Sequence, residues 1–248
     1  MTDWKSVALG AIAGAVIAVG AVFAAASGGM LPVNGPQVRA YLMAHPEIVM
    51  DMSNKYAENQ QAAADRTQAE ALARIGMKTY FDPKVAFTTG PVNAKDTLVE
   101  FFDYNCPYCR ASIPAMKAFY EKHKNDTRFS FIEFPIKGPD SIVVARASFA
   151  SRKQPDKYLP FHFALMNEEG LVTADTVYEI AARVGIDVAK LKADMADKSV
   201  DDAINTAHKL ALKTKIDGTP TFIFNGKVRA GAVHDTAMIE KLMRGEDV

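Results

Sequence analysis

Cysteine is nearly absent: 248 residues contain only two. A fold held by a disulfide framework needs several pairs at wider spacing, so covalent staples do not hold this one. A chain of this length buries a core without them. Charge of one sign is lacking as well. The 29 Lys+Arg balance 29 Asp+Glu, and no stretch carries a dense basic run. Recognition of nucleic acid through phosphate charge is therefore excluded. Metal-ligand patterns are sparse: His45, His123, His162, His208 and His234 show no H-x3–5-H spacing, and there is one C-x2-C pair. Tetrahedral structural zinc wants four ligands and does not find them. Two soft thiolates remain a chemically allowed seat for Cu(I).

At the N-terminus, residues 1–6 form a short flank. Val7 to Ala26 is then a run of twenty residues without a charge. At 1.5 Å per residue such a run spans roughly 30 Å, the hydrocarbon thickness of a bilayer. The small residues Ala24-Ala25-Ala26-Ser27 also suit a signal-peptide cleavage site. Anchor and cleaved signal both export the rest of the chain. Residues 27–35 (SGGMLPVNG) read as a linker. From Pro36 to Ile75 the pattern is helical, with Pro46 starting a second helix. From Glu58 to Ala71 it turns polar and Ala-rich, with too little apolar surface to enter a core. Residues 36–80 are thus expected to project as a helical extension. It is either a solvated spacer or an oligomerisation stalk through residues 36–75, using Val38, Leu42, Ile48, Val49, Met52 and Tyr56.

The remaining segment, 81–248, alternates strand and helix. Thr97 to Tyr104 reads as a buried strand, apolar on both faces except at Glu100 and Asp103. A helix over Pro107 to His123 and a strand over Phe129 to Ile136 complete a βαβ unit. About 139–215 is helical throughout, with starts near Asp140, Asp156, Thr173, Asp187 and Ser199, the last with a Ser199–Asp202 capping box. Strands over Thr221 to Asn225 and Lys227 to Val233 flank the hairpin turn Asn225-Gly226. A last helix covers Thr236 to Arg244. The order βαβ, helical block, ββα is an α/β thioredoxin fold with an inserted helical domain.

The two cysteines sit at the junction of the first strand and helix, as Cys106-Pro107-Tyr108-Cys109. Proline at the first helical position leaves Cys106 facing unpaired N–H groups and the positive end of the helix dipole. The dipole is worth up to about 2 kcal/mol and a pKa unit about 1.4 kcal/mol, so stronger activation needs direct N–H bonds to sulfur. The thiolate is the attacking species in disulfide exchange. Cys109, one turn on and more buried, is placed to attack a mixed disulfide on Cys106. Tyr108 offers a hydroxyl where a histidine would offer a charge, which predicts a milder oxidant. Glu100 shares a strand face with Leu98, Phe102 and Tyr104, which favours a buried, partly protonated carboxyl that exchanges a proton with Cys109. Thr219-Pro220 precedes a strand. Either the proline simply opens it, or a cis bond turns the Thr219 backbone toward the sulfurs as an edge for an extended substrate.

Four segments together resemble the DsbA-like bacterial thioredoxins: VEFFDYNCPYC (Val99 to Cys109), EFPIKGPDSIVVARA (Glu133 to Ala147), KYLPFHFALM (Lys157 to Met166) and GTPTFIFNGK (Gly218 to Lys227). The resemblance implies a cis Pro220, Cys106 as nucleophile, Cys109 as resolving thiol, Glu100 as buried acid, and no cofactor beyond the Cys106–Cys109 disulfide. Tyr108 in place of His, Thr219 in place of Val and the helical extension resemble the suppressor-of-copper-sensitivity C branch, as does RAYLMAHPEIVMDMS (Arg39 to Ser53). The function this implies is an extracytoplasmic protein disulfide oxidoreductase acting on exported proteins, isomerase or reductase in preference to pure oxidase. A membrane redox partner protein would reset it. The site would lie on the periplasmic side of the inner membrane, tethered through residues 7–26, or in the soluble periplasm after cleavage. The alternatives are a general disulfide-forming oxidase, a Cu(I)-handling protein at Cys106 and Cys109, and an assembly factor working through its N-terminal helix.

Overall fold

Helix-forming sequence begins at the first residues that the computed structural model describes. It covers residues 35–154 and 156–246, the side chain of Gln37 excepted. The segment 7–26 and all of the linker except Gly35 lie outside the described residues. Among those described, no helix is long and apolar enough to cross a membrane. The chain divides into two units, Met1–Gln61 and Ala62–Val248.

Helix α1 (Gly35–Ala44), in the first unit, carries Pro36 in its first turn, and helix α2 (Glu47–Ile75), which belongs to the second unit from Ala62 on, starts directly after Pro46. Val38, Tyr41, Met43, Val49, Met50, Met52 and Tyr56 are exposed, while Leu42 and Ile48 are half-buried. An apolar cleft of about 800 Å³ runs between Val38, Leu42, Met43, Pro46, Val49 and Met50.

The second unit is built on a five-stranded sheet in the order β1-β3-β2-β4-β5. The strands are β1 (Phe87–Thr89), β2 (Asp96–Phe102), β3 (Thr127–Glu133), β4 (Thr221–Phe224) and β5 (Lys227–Ala230). Strands β2 and β3 run parallel, joined by helix α3 (Pro107–His123); the other pairs are antiparallel. Between β3 and β4 lies the helical insertion: α4 (Pro139–Ser151), α5 (Tyr158–Met166), α6 (Thr176–Arg183), α7 (Val188–Met195) and α8 (Lys198–Lys213). Helix α9 (Thr236–Met243) ends the described fold. Alternation along the strands splits the core. Leu98, Phe102, Phe129, Phe131, Phe222 and Phe224 pack with α3 and the insertion. Val99, Phe101, Ile132 and Ile223 pack with Tyr80, Phe81, Leu210 and Ile216.

Three expectations are corrected. The polar stretch of α2 does reach a core at its end, where Ala71 and Leu72 are buried and Leu72 joins the cluster of Tyr80 and Phe81. Strand β1 was not expected, because three residues carry no readable period. It is fixed by pairing Phe87 with Phe131 and by the turn at Gly90, where φ is 87° and a Cβ would fall 2.1 Å from the Thr127 carbonyl oxygen, so no side chain is admitted. The Ser199–Asp202 capping box does not form. Asp197 caps α8 by accepting from the Ser199 N–H, and Asp202 pairs with Lys198 instead.

One buried carboxylate locks the loops around the sheet's carboxyl end. Asp103 Oδ1 accepts from Asn105 N at 2.7 Å and Ser141 Oγ at 2.8 Å, and Oδ2 accepts from Ile136 N at 2.7 Å and Lys137 N at 2.9 Å. All four donors lose their partner in Asp103→Ala. Hydrogen bonds to a charged acceptor are worth about 1.5–3 kcal/mol each and are not additive. Urea unfolding of D103A is expected to show a loss of about 3 kcal/mol or more; a loss below about 1 kcal/mol would contradict this role.

Candidate active site

The cysteines meet where β2 hands over to α3. Cys106 has extended backbone angles (φ −85°, ψ 118°), and Pro107 takes the first helical position. Its sulfur therefore sits at the amino end of α3. The Cys109 thiol donates to it, the Thr219 side chain adds to this, and so do the backbone N–H groups of Cys109 and Tyr108. These outweigh the cost of burial and pull the Cys106 thiol down to about 5 from an ordinary 9.0. Cys109 goes the other way. Burial, its bond to Cys106 and the charge of Glu100 push it far up, so it stays protonated. Cysteine pairing thus yields one thiolate and one thiol, both free.

Cys109 was expected to be the more buried residue, but both have 0% exposure. The Thr219-Pro220 loop, cis at that bond, lies over Cys106. In its thiol form Cys106 Sγ donates to the Thr219 carbonyl at 3.1 Å. The Thr219 hydroxyl is buried without a geometrically sound partner among the described residues, although it stands near enough to the sulfur to favour the anion. Pro107 is exposed, and Tyr108 points outward with 67% exposure. Its side chain is thus a rim to the site, while its backbone N–H serves the thiolate.

Glu100 is where its strand face predicted. It lies opposite Phe131 on β3 and Phe222 on β4, fully buried, and neither carboxylate oxygen has a partner among the described residues. Burial first, then the nearby Cys106 anion, raises it to about 8. The second contribution exists only while Cys106 carries charge.

Sequence reasoning missed the supporting residues. Asp103 was visible only as a polar break in a buried strand, and Asn105 and Arg110 only as polar flanks of the CPYC motif. Arg110 Nε donates to the Tyr104 carbonyl at 2.7 Å, and Asn105 Oδ1 accepts from Val172 N at 2.9 Å. Beneath the loop, Tyr104 bonds Ser148 Oγ at 2.6 Å and His162 Nδ1 at 3.1 Å. Burial lowers His162 to about 3, so the ring is neutral. Among the described residues no group of three or more His, Cys, Asp and Glu could hold a metal ion.

Residues 97–244 match the family model described as the DSBA-like thioredoxin domain, and residues 35–63 that of the copper resistance protein ScsC N-terminal domain. The first curated relatives are Na(+)/H(+) antiporters NhaA; that of Herminiimonas arsenicoxydans is 26% identical over 66% of this chain, which spans 27% of its length. The thiol:disulfide interchange protein DsbA of Burkholderia cepacia is 26% identical over 71% of this chain and 84% of its own. Among solved structures, a thioredoxin-like oxidoreductase from Silicibacter pomeroyi DSS-3 shares 35% identity at a TM-score of 0.61, covering 67% of this chain and 94% of that one. The catalytic domain of Proteus mirabilis ScsC shares 25% identity at 0.63, covering 71% and 97%.

Glu100 binds its proton more tightly folded than unfolded. Its contribution to stability is complete below about pH 4.5 and is lost as the pH rises toward about 8. Glu100→Gln cannot ionise, so its stability relative to the reduced wild type should increase by roughly 2–3 kcal/mol between pH 4.5 and 7. Urea unfolding at the two pH values measures this; a difference independent of pH would contradict the buried-acid assignment.

Proposed function

The chain belongs to the DSBA-like thioredoxin domain family, and from that premise we propose that it exchanges disulfides with cysteine-bearing exported proteins, as isomerase or reductase in preference to pure oxidase. The observation that carries the reading is the split pair: an ionised Cys106 at a helix amino end beside a protonated Cys109.

The steps follow from these charges. The Cys106 thiolate attacks one sulfur of a client disulfide, forming a mixed disulfide and expelling the other client sulfur as thiolate. With its charge consumed, Cys106 no longer raises Glu100, whose carboxyl becomes more acidic and gives up its proton to the expelled client thiolate or to water, leaving a carboxylate. Glu100 then takes the proton of Cys109. The Cys109 sulfur attacks Cys106, breaks the mixed disulfide and releases the second client thiolate. The client has gained two electrons, and the pair has become a disulfide. In isomerisation a client thiolate resolves the mixed disulfide instead and returns Cys106 as thiolate, with no net oxidation.

The preference for isomerase or reductase draws support from three features. Tyr108 supplies no charge to the thiolate. Thr219 offers its carbonyl at the sulfur, an edge with which an extended client can pair. The match of residues 35–63 and the exposed apolar side chains of α1 and α2 favour pairing of copies through residues 36–75, which would set two redox sites on one client and shield the pair from oxidation. Export through residues 7–26, as anchor or cleaved signal, would place the site in the periplasm, where a membrane redox partner resets it. Cu(I) binding at Cys106 and Cys109 is a weaker reading, because the buried Cys109 would have to ionise beside Glu100.

Refolding of a scrambled-disulfide substrate tests the proposal. The full chain should restore native pairing, and Cys106→Ser should abolish this, whereas Cys109→Ser should accumulate client trapped on Cys106. A wild type that oxidises reduced substrate but does not rescue scrambled substrate would make the isomerase reading wrong.

A further inference from the structure

Five large apolar side chains of the second unit are exposed among the described residues: Val92, Tyr108, Ile142, Leu171 and Leu212. A single exposed leucine is ordinary. Leu171 is not ordinary in how it is held. Its loop, between α5 and α6, is pinned on both sides of it to the residues flanking the CPYC motif. Arg110 Nη1 donates to the Glu168 carbonyl at 3.0 Å and to the Gly170 carbonyl. Asn105 Oδ1 accepts from Val172 N at 2.9 Å, and its Nδ2 donates to the Val172 carbonyl at 3.0 Å. Val172 itself is fully buried, while Leu171 between these anchors is 56% exposed.

The same two residues also flank the nucleophile in the redox turn. Asn105 immediately precedes Cys106. Arg110 N donates to the Cys106 carbonyl at 3.1 Å, closing the first turn of α3, and Arg110 Nε fixes the Tyr104 carbonyl. A planar guanidinium reaching three carbonyls is geometry that lysine cannot reproduce. The loop of the insertion and the redox turn are therefore one bonded assembly. Leu171 is presented from it toward solvent, and Tyr108 is exposed within the motif itself.

We propose that Arg110 and Asn105 are positioning residues that build Leu171 into the redox site, where it selects clients whose residue next to the reacting cysteine is apolar. The inference rests on the disulfide-exchange reading above. Burying one leucine-sized side chain against another supports a preference of about tenfold in kcat/KM.

Two synthetic peptides test it, each with one internal disulfide, the cysteines flanked by leucine in one and by serine in the other. They are reduced by the full chain with glutathione in excess. The wild type should favour the leucine peptide about tenfold. Leu171→Ser, at an exposed position, should lower that preference to about twofold or less, through KM rather than kcat. Arg110→Lys keeps the charge but not the fork, and should lose the preference in the same way. Wild-type indifference to the flanks, or a preference retained in L171S, would overturn the inference. Should R110K fail to fold, judged by its thermal unfolding, L171S decides alone. No reaction with either peptide would instead contradict the exchange activity itself.

Discussion

Two thiols packed against one another at the amino end of a helix compete for a single proton, and the surroundings decide which keeps it. Here Cys106 receives the Cys109 thiol and the N–H groups of α3, so its anion is the stabilised form. Cys109 receives burial and the proximity of a carboxylate, so its anion is disfavoured. Direct hydrogen bonds carry most of this difference, since the helix dipole alone supplies about one pKa unit. The asymmetry gives the order of events. The ionised sulfur attacks, and the protonated one waits until the first is consumed.

The sheet exists, for this purpose, to hold an acid where it is uncomfortable. Glu100 stands between Phe131 and Phe222 on neighbouring strands, with no hydrogen-bond partner for its carboxyl among the described residues. A partner such as lysine would have fixed it as a permanent anion. Left alone it responds to Cys106, neutral beside the thiolate and more acidic once that charge has gone. Asp103, three residues on, is the opposite case. Four donors satisfy it, and it works as a fixed anchor between the redox turn and the start of the insertion. Two carboxyls, one on β2 and one just past its end, thus differ in role because of what their oxygens meet.

Local chemistry was legible in the sequence. Pro107 after a buried strand marked the start of α3, and the expected span, Pro107 to His123, is the observed one. Asn225 and Gly226 both adopt positive φ, as the tight hairpin requires. The strand face that paired Glu100 with Leu98 and Phe102 placed the acid beneath the cysteines. Contacts made across the chain were not legible. Asp103 finds donors 33 to 38 residues away, and Arg110 finds its loop 58 to 60 residues away. Burial of Cys106 also escaped notice, because the loop that covers it arrives more than a hundred residues later. At α8 the start was read at Ser199, but the folded helix is capped two residues earlier by Asp197.

The ultraviolet absorbance of thiolate sulfur, followed against pH in the reduced full chain and in its Cys109→Ala variant, tests the central claim most directly. One thiolate should appear in the wild type with a midpoint near 5. In the variant the midpoint should move upward, because the strongest donor to Cys106 is removed. A single transition near the ordinary thiol value of 9.0, the same in both proteins, would contradict the account.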